Sequence, residues 1–265
     1  MFEVYIHKIY NVCATKIETN CPTILDSIIS YYSEYIINGA QEYDILKIIK
    51  SKDKYKVFFG TKQIESTDPM SDLDMILRTK EIDERYFVMH SGGIVFNNKA
   101  ILFSAPTSRG KSTIITFLTN KGMTYISDDN IVIDISSKKV IPFYKPILLR
   151  ESSMEILRGY GINIPTIFRG AQSMKRVIWN PPKSIEQPTE IGRILIPQIS
   201  DVNKIERLPK ELALDRLIMS AIKPYRPTTK IMSFLNQLST FECYVVRFNN
   251  LDYIYHSISN ASFDR

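Results

Sequence analysis

Apolar positions recur along this chain with two periods, one strand-like and one helical. Met1-Phe2-Glu3-Val4-Tyr5-Ile6 alternates, and residues 1–22 read as short strands stopped at Asn20-Cys21-Pro22. Residues 23–37 carry Ile24, Ile28, Ile29, Tyr32 and Ile36 at helical spacing, with Asn38-Gly39 as the natural C-terminal cap. The many β-branched residues keep a strand reading open there. Ile45–Ile49 and Tyr55–Phe59 alternate on either side of Lys50–Lys54, which predicts a hairpin, and Thr67-Asp68-Pro69 starts a helix running to about Thr79. Residues 1–84 show no chemistry and are expected to form a small α+β subdomain for structure or recognition.

The pattern sharpens from residue 85. Arg85–His90 predicts a strand ending at a histidine, and Ile94–Phe96 and Lys99–Phe103 flank Asn97-Asn98, a two-residue turn that tolerates positive φ. A loop at 105–113 leads into a helix that stops near Asn120-Lys121-Gly122. Met123–Ile126 is a strand ending at Ser127-Asp128-Asp129, and a second hairpin joins Ile131–Ile135 to Val140–Phe143. Further strands are expected at 145–150, 191–197 and 243–248, and helices at 209–221 and 230–238. Pro181-Pro182 and Pro188 punctuate a connector, and Pro224–Pro227 marks a break. Strands and helices alternating over 85–265 predict one α/β domain.

Composition narrows the function classes. The 265 residues are 44% hydrophobic and 23% charged, ordinary for a globular protein with a sizeable core. No apolar run approaches the roughly 20 residues that span a bilayer, and the N-terminus lacks a basic segment followed by a long apolar one, so a cytoplasmic protein is expected. Cys13, Cys21 and Cys243 contain no C-x-x-C pair, and His7, His90 and His256 are scattered, which indicates neither a disulfide framework nor a zinc site. The net charge of +6 is spread along the chain, which argues for a solvated basic surface, or one suited to an acidic or phosphorylated partner, over nucleic acid. The basic stretch Phe168–Arg176 is either an anion-docking loop or a solvated one.

The candidate chemistry starts at Ala105-Pro106-Thr107-Ser108-Arg109-Gly110-Lys111-Ser112-Thr113. Strand, tight loop, then Gly-Lys-Ser at a helix start is the setting of a phosphate-binding P-loop, here with Ala105 in place of the first glycine. Unpaired N–H groups of Thr107 through Thr113 and the helix dipole attract phosphate; Lys111 reaches the outer phosphates and the Ser112 hydroxyl sits on Mg²⁺. Asp128 and Asp129 follow at the end of the next predicted strand, where ligand groups collect in α/β sheets. Two adjacent carboxylates there divide the work of phosphoryl transfer, Asp128 as base and Asp129 as metal partner, with the roles exchangeable. Asp-Asp-Asn is also good turn chemistry.

His90-Ser91-Gly92-Gly93, the hairpin, the loop at 104–113, Gly122 and Asp128-Asp129 together resemble the nucleotide-binding core of the HPr serine kinase/phosphorylase family. They are most similar to its short relatives encoded beside ribosomally made peptides such as lasso peptides. The resemblance covers residues 85–150. It implies a mixed β-sheet P-loop core of the HPr kinase C-terminal and phosphoenolpyruvate-carboxykinase type, with a small N-terminal α+β part at 1–84 and a catalytic domain at 85–265. It implies ATP (or another nucleoside triphosphate) and Mg²⁺ as cofactors, and transfer of the γ-phosphoryl group to a serine of a precursor peptide. His90 would lie near the active site, against the plainer reading of a structural strand-end histidine. Glu155-Ile156-Leu157-Arg158-Gly159-Tyr160-Gly161-Ile162 resembles the family's Glu-x-Arg-Gly-x-Gly-Ile signature with one extra residue. This makes Arg158 a candidate for stabilising phosphoryl charge, or alternatively part of a helix C-terminus capped by Gly159 and Gly161. The family usually has glycine at Ser108, so Gly110 is the only loop glycine here. The alternatives are a small-molecule kinase acting on, for example, free serine, and a nucleotide-binding regulator without turnover. Neither nucleic acid nor membrane is an expected partner, and an oligomer is left open.

Overall fold

A computed structural model describes residues 1–7, 14–79, 85–105, 109–142, 144–164, 176–182, 184–222 and 228–260. The chain divides into two compact units, Met1–Asp83 and Glu84–Arg265. Neither contains a helix long and apolar enough to cross a membrane among the described residues.

The first unit holds β1 (Phe2–Ile6), β2 (Ala14–Thr19), α1 (Pro22–Tyr31), a 3-10 turn at Ser33–Tyr35, β3 (Ile36–Ile37), β4 (Tyr43–Ser51), β5 (Lys54–Phe59), β6 (Lys62–Ser66) and α2 (Pro69–Thr79). Its sheet runs β3-β1-β2-β4-β5-β6; β2 and β4 are parallel, and the other neighbours antiparallel. Val4, Ile6, Ile17, Ile28, Leu46, Ile48, Val57 and Leu73 form its buried interior, with α1 packed on β1 and α2 on β5. The expected hairpin forms between β4 and β5 with Lys52 at φ 55, and α2 begins where Asp68 Oδ1 accepts from the Ser71 N–H. The helix expected over 23–37 stops at Tyr31. Ile36 and Ile37, placed in its last turn by periodicity, instead pair with Ile6 and Tyr5 at the sheet edge, where their β-branched side chains are better accommodated.

The second unit contains β7 (Tyr86–Met89), β8 (Ser91–Phe96), β9 (Lys99–Ser104), α3 (Lys111–Asn120), β10 (Thr124–Ser127), β11 (Ile131–Asp134), β12 (Lys139–Ile141), β13 (Ile147–Arg150), α4 (Glu151–Gly159), β14 (Arg176–Trp179), β15 (Thr189–Ile199), β16 (Lys204–Arg207), α5 (Lys210–Ser220), α6 (Thr229–Leu238), β17 (Glu242–Phe248) and α7 (Leu251–Ser259). It is α/β with a mixed sheet in the order β10-β8-β9-β15-β12-β11-β7. β15 also pairs in parallel with β17, and β17 pairs antiparallel with β16. β15 runs parallel to β9, and β8 runs antiparallel to both β9 and β10. One face of the sheet is covered by α3, α4 and α7 around Phe103, Ile115, Phe117, Leu157 and Ile254. The other is covered by α5 and α6 around Leu102, Ile126, Leu217, Phe234 and Leu238. β13 and β14 form a separate two-stranded ribbon.

Both hairpins predicted for this unit form. Asn97 (φ 49) and Asn98 (φ 60) turn β8 into β9, and Lys138 (φ 57) closes β11 on β12. Asp134 stabilises the second turn by accepting from the N–H groups of Ser136 and Ser137, while Arg85 Nε donates to its other oxygen at 2.9 Å.

Candidate active site

Sheet topology gathers the site. β9 and β10 point the same way because each is antiparallel to the β8 strand between them, so their carboxyl ends meet the start of β8 at one edge. Ser91 pairs with Ser104 and Gly93 with Ser127. The aspartates therefore sit two strands from the P-loop strand, one further than the linear reading placed them, but on the same edge.

Gly110 precedes α3 at φ 81, a left-handed conformation suited to glycine, and no side-chain hydrogen bond caps the helix among the described residues. The first-turn N–H groups of Lys111, Ser112 and Thr113 have no intrahelical acceptor, so they and the positive end of the dipole face the loop. Thr113 is tied to α4 by its hydroxyl, which donates to Ser153 Oγ at 2.9 Å. Arg109 is exposed beside Gly110. Thr107 and Ser108 lie outside the described residues.

Lys111 is only 6% exposed. Its ammonium donates to the Ala105 carbonyl at 2.5 Å and to His90 Nε2 at 3.0 Å. Burial pushes its pKa below the ordinary lysine value, against the opposing pull of Asp129 and Asp128. Since Nε2 accepts, the His90 proton is on Nδ1, and Nδ1 donates to Asp129 Oδ1 at 3.0 Å. Lys111, His90 and Asp129 thus form one chain of polar contacts.

The two aspartates differ. Asp129 is 48% exposed and adopts φ 80, a left-handed conformation uncommon for a side-chain-bearing residue and frequent at functional sites. Asp128 is 5% exposed. It is hydrogen-bonded to Ser112, yet its Oδ1 has no hydrogen-bond partner among the described residues. Burial above all, and then the charge of Asp129, push its pKa up to about 6, against the hydrogen bond from Ser112 and the charges of Lys145 and Lys111. Gly92 lets β8 approach α3: a Cβ there would lie 2.9 Å from Ile115 Cγ1, whereas its 3.5 Å from Asp128 Oδ1 would be ordinary contact.

The structure thus brings together His90, Lys111, Ser112, Asp128 and Asp129. Arg158 is placed otherwise, exposed in the last turn of α4. The Gly161 and Ile162 N–H groups fold back onto the Arg158 and Leu157 carbonyls, and Gly161 sits at φ 74, so this stretch ends a helix. Of the basic loop, residues 168–175 lie outside the described residues. The site also includes Lys145, which the sequence presents only as part of a strand. It precedes β13, is 5% exposed, and its Nζ is 3.8 Å from Asp129 Oδ2. No motif marks it; its only sequence signal is a charge within an apolar stretch. No cluster of three or more histidine, cysteine or acidic side chains suited to a metal occurs among the described residues. A metal here would have to share its coordination with hydroxyl, phosphate or water oxygens.

The sequence matches no family model, and no curated protein sequence matches it. Among solved structures, the chain is similar to the Hpr(Ser) kinase/phosphatase from Coxiella burnetii, with 12% identity and a TM-score of 0.31 over 67% of this chain and 99% of that one. A superposition that loose carries no weight for chemistry. The mixed α/β architecture is evident from its own strand order.

Proposed function

We propose that this chain is a P-loop kinase that binds a nucleoside triphosphate with Mg²⁺ and transfers the γ-phosphoryl group to a serine hydroxyl. The observation that carries the reading is Asp128: a buried carboxylate, hydrogen-bonded to the P-loop Ser112, whose Oδ1 has no hydrogen-bond partner among the described residues. A buried polar atom without a partner costs about 1–3 kcal/mol, more for a charge, so a fold that keeps one at a phosphate cradle calls for a use.

Ser112 and Asp128 fit Mg²⁺, which takes hard oxygen ligands and often binds through one or two carboxylates plus phosphate and water. When bound, the ion would neutralise charge developing on the phosphates. Lys111 and the N–H groups of 107–113 hold the phosphate oxygens in this reading, Thr107 and Ser108 by virtue of the motif. Asp129 takes the role of base. It is half-exposed where an acceptor can approach, and the His90 N–H orients its Oδ1. The serine oxygen bonds to phosphorus as the bond to the β–γ bridging oxygen breaks, and the serine proton passes to Asp129. This is the exchange of roles that the sequence left open. Arg158 enters only through the signature it resembles; its place in α4 supports a capping role.

We propose a ribosomally synthesised precursor peptide as the acceptor, a choice supported by motif resemblance and by no group in the site. The test is to incubate the protein with γ-labelled ATP, Mg²⁺ and either the peptide encoded beside its gene or free serine. Label on the peptide, lost in Asp129→Asn while nucleotide still raises the melting temperature, is the expected result. Label on free serine alone selects the small-molecule kinase. Stabilisation by nucleotide with no transfer to either acceptor selects a binding regulator. Absence of any nucleotide effect overturns the reading.

A further inference from the structure

Lys145 stands in the link between β12 and β13, yet its ammonium ends among the site residues. Its backbone is held in place: the carbonyl accepts from Tyr125 OH at 2.5 Å, and the Tyr144 ring packs edge-on against Tyr125 at 6.0 Å. Pro146 follows and fixes the next φ. A lysine only 5% exposed is costly unless its charge is used or compensated. Its charge acts on Asp129, 3.8 Å from Oδ2, and on Asp128, the residue that Ser112 contacts. The carboxylate pair thus has two buried ammonium groups near it, Lys111 from the first turn of α3 and Lys145 from the link between β12 and β13.

We propose that Lys145 is a second phosphate-binding cation of this site, one that grips the phosphoryl group while it is in transit. The inference rests on the kinase reading and deepens it. Lys111 belongs to the cradle and serves any phosphate chain bound there. Lys145 approaches from the side of Asp129, where the acceptor oxygen must come, so its attraction grows as the phosphoryl group moves toward that oxygen. A fixed charge placed where negative charge develops stabilises the transfer state more than the bound nucleotide. Lysine suits the task because a compact ammonium offers three donors to phosphate oxygens from one point.

The test separates ground-state from transfer-state binding without needing the acceptor. Affinity for MgADP, and for MgADP with aluminium fluoride as a mimic of the phosphoryl group in transit, is measured by calorimetry for wild type, Lys145→Met, Lys145→Arg and Lys111→Met. Wild type should bind MgADP and tighten when fluoride is added. Lys145→Met should bind MgADP within about threefold of wild type and lose about thirtyfold or more of the tightening, the size of one charge-assisted contact of about 2 kcal/mol. Lys145→Arg should keep most of it, and Lys111→Met should lose both. Equal tightening in wild type and Lys145→Met, or none in wild type, overturns the inference and leaves nucleotide binding intact. A wild type that does not bind MgADP overturns the underlying reading as well. If Lys145→Met does not fold, the comparison of Lys145→Arg with Lys145→Gln decides in the same way.

Discussion

Glu18 and Asp128 are both buried carboxylates, one in each unit, and the fold treats them in opposite ways. Glu18, 9% exposed on β2, has both oxygens engaged: Lys16 lies 3.1 Å from Oε1 and Lys47 2.9 Å from Oε2. The hydrogen bonds from Lys47 and Lys16 hold its pKa below the ordinary carboxylate value. Asp128 keeps an oxygen without a hydrogen-bond partner among the described residues, and burial drives its pKa upward. Burial alone therefore does not mark a functional acid. The first carboxylate is part of a closed ion-pair network, whereas the second keeps binding capacity in reserve.

The comparison predicts opposite signs on mutation. Asp128→Asn should stabilise the nucleotide-free protein at pH 7.5 by up to about 3 kcal/mol, since a shift from 3.8 to about 6 costs about 1.4 kcal/mol per unit. For a raised carboxyl pKa, stability is full below the unfolded value and is lost as pH rises through the folded one. Wild type should therefore recover ground on the Asp128→Asn variant as pH falls from 7 to 5, measured by urea unfolding. A difference that ignores pH would break the comparison.

Gly92→Ala tests the close approach of β8 to Ile115 on α3, beside Asp128. Its Cβ would press on Ile115 at 2.9 and 3.3 Å, at a cost of about 1–3 kcal/mol and with weaker nucleotide binding. Gly159→Ala, with nothing within 4 Å, is the control and should be neutral or slightly stabilising. Glu18→Gln should cost about 1 kcal/mol at neutral pH. A lowered pKa gives stability above the unfolded value that is lost as pH falls, so this deficit should vanish in acid, opposite to Asp128. Smallest is Lys54→Met: its ion pair with Glu65, at 3.5 Å between two exposed side chains, should be worth less than about 0.5 kcal/mol in a melting experiment.

Local chemistry made much of this fold readable. Asn97-Asn98, the Gly110 start and Gly122 stop of α3, and the Asp68 cap of α2 are short-range signals that the structure repeats. What escaped depended on distant partners. Ile36-Ile37 continue a helical stripe until β1 offers them an edge, and polar β6 and β16 have no strand pattern because they lie at or near sheet edges. α7 is a different case: it was not among the expected helices, although its Asn250 cap and its Leu251, Ile254 and Ile258 stripe are legible. The P-loop and the aspartates stood out by spacing. Lys145 did not, because only the placement of the β12–β13 link brings it to Asp129. The strand β8 was legible as half of a hairpin, but its position between β9 and β10 has no signal in the linear order.

The chain of contacts from Lys111 through His90 to Asp129 has a practical consequence for magnetic resonance. The protein contains three histidines, so ring-nitrogen spectra will be sparse enough to assign. His90 is locked as the Nδ1–H tautomer by a donor on one side and an acceptor on the other. When Lys111 leaves Nε2 for a phosphate, that nitrogen loses its donor while Nδ1 keeps its acceptor. One ring resonance should then move and its neighbour hold still, giving a built-in reporter of the nucleotide binding proposed above.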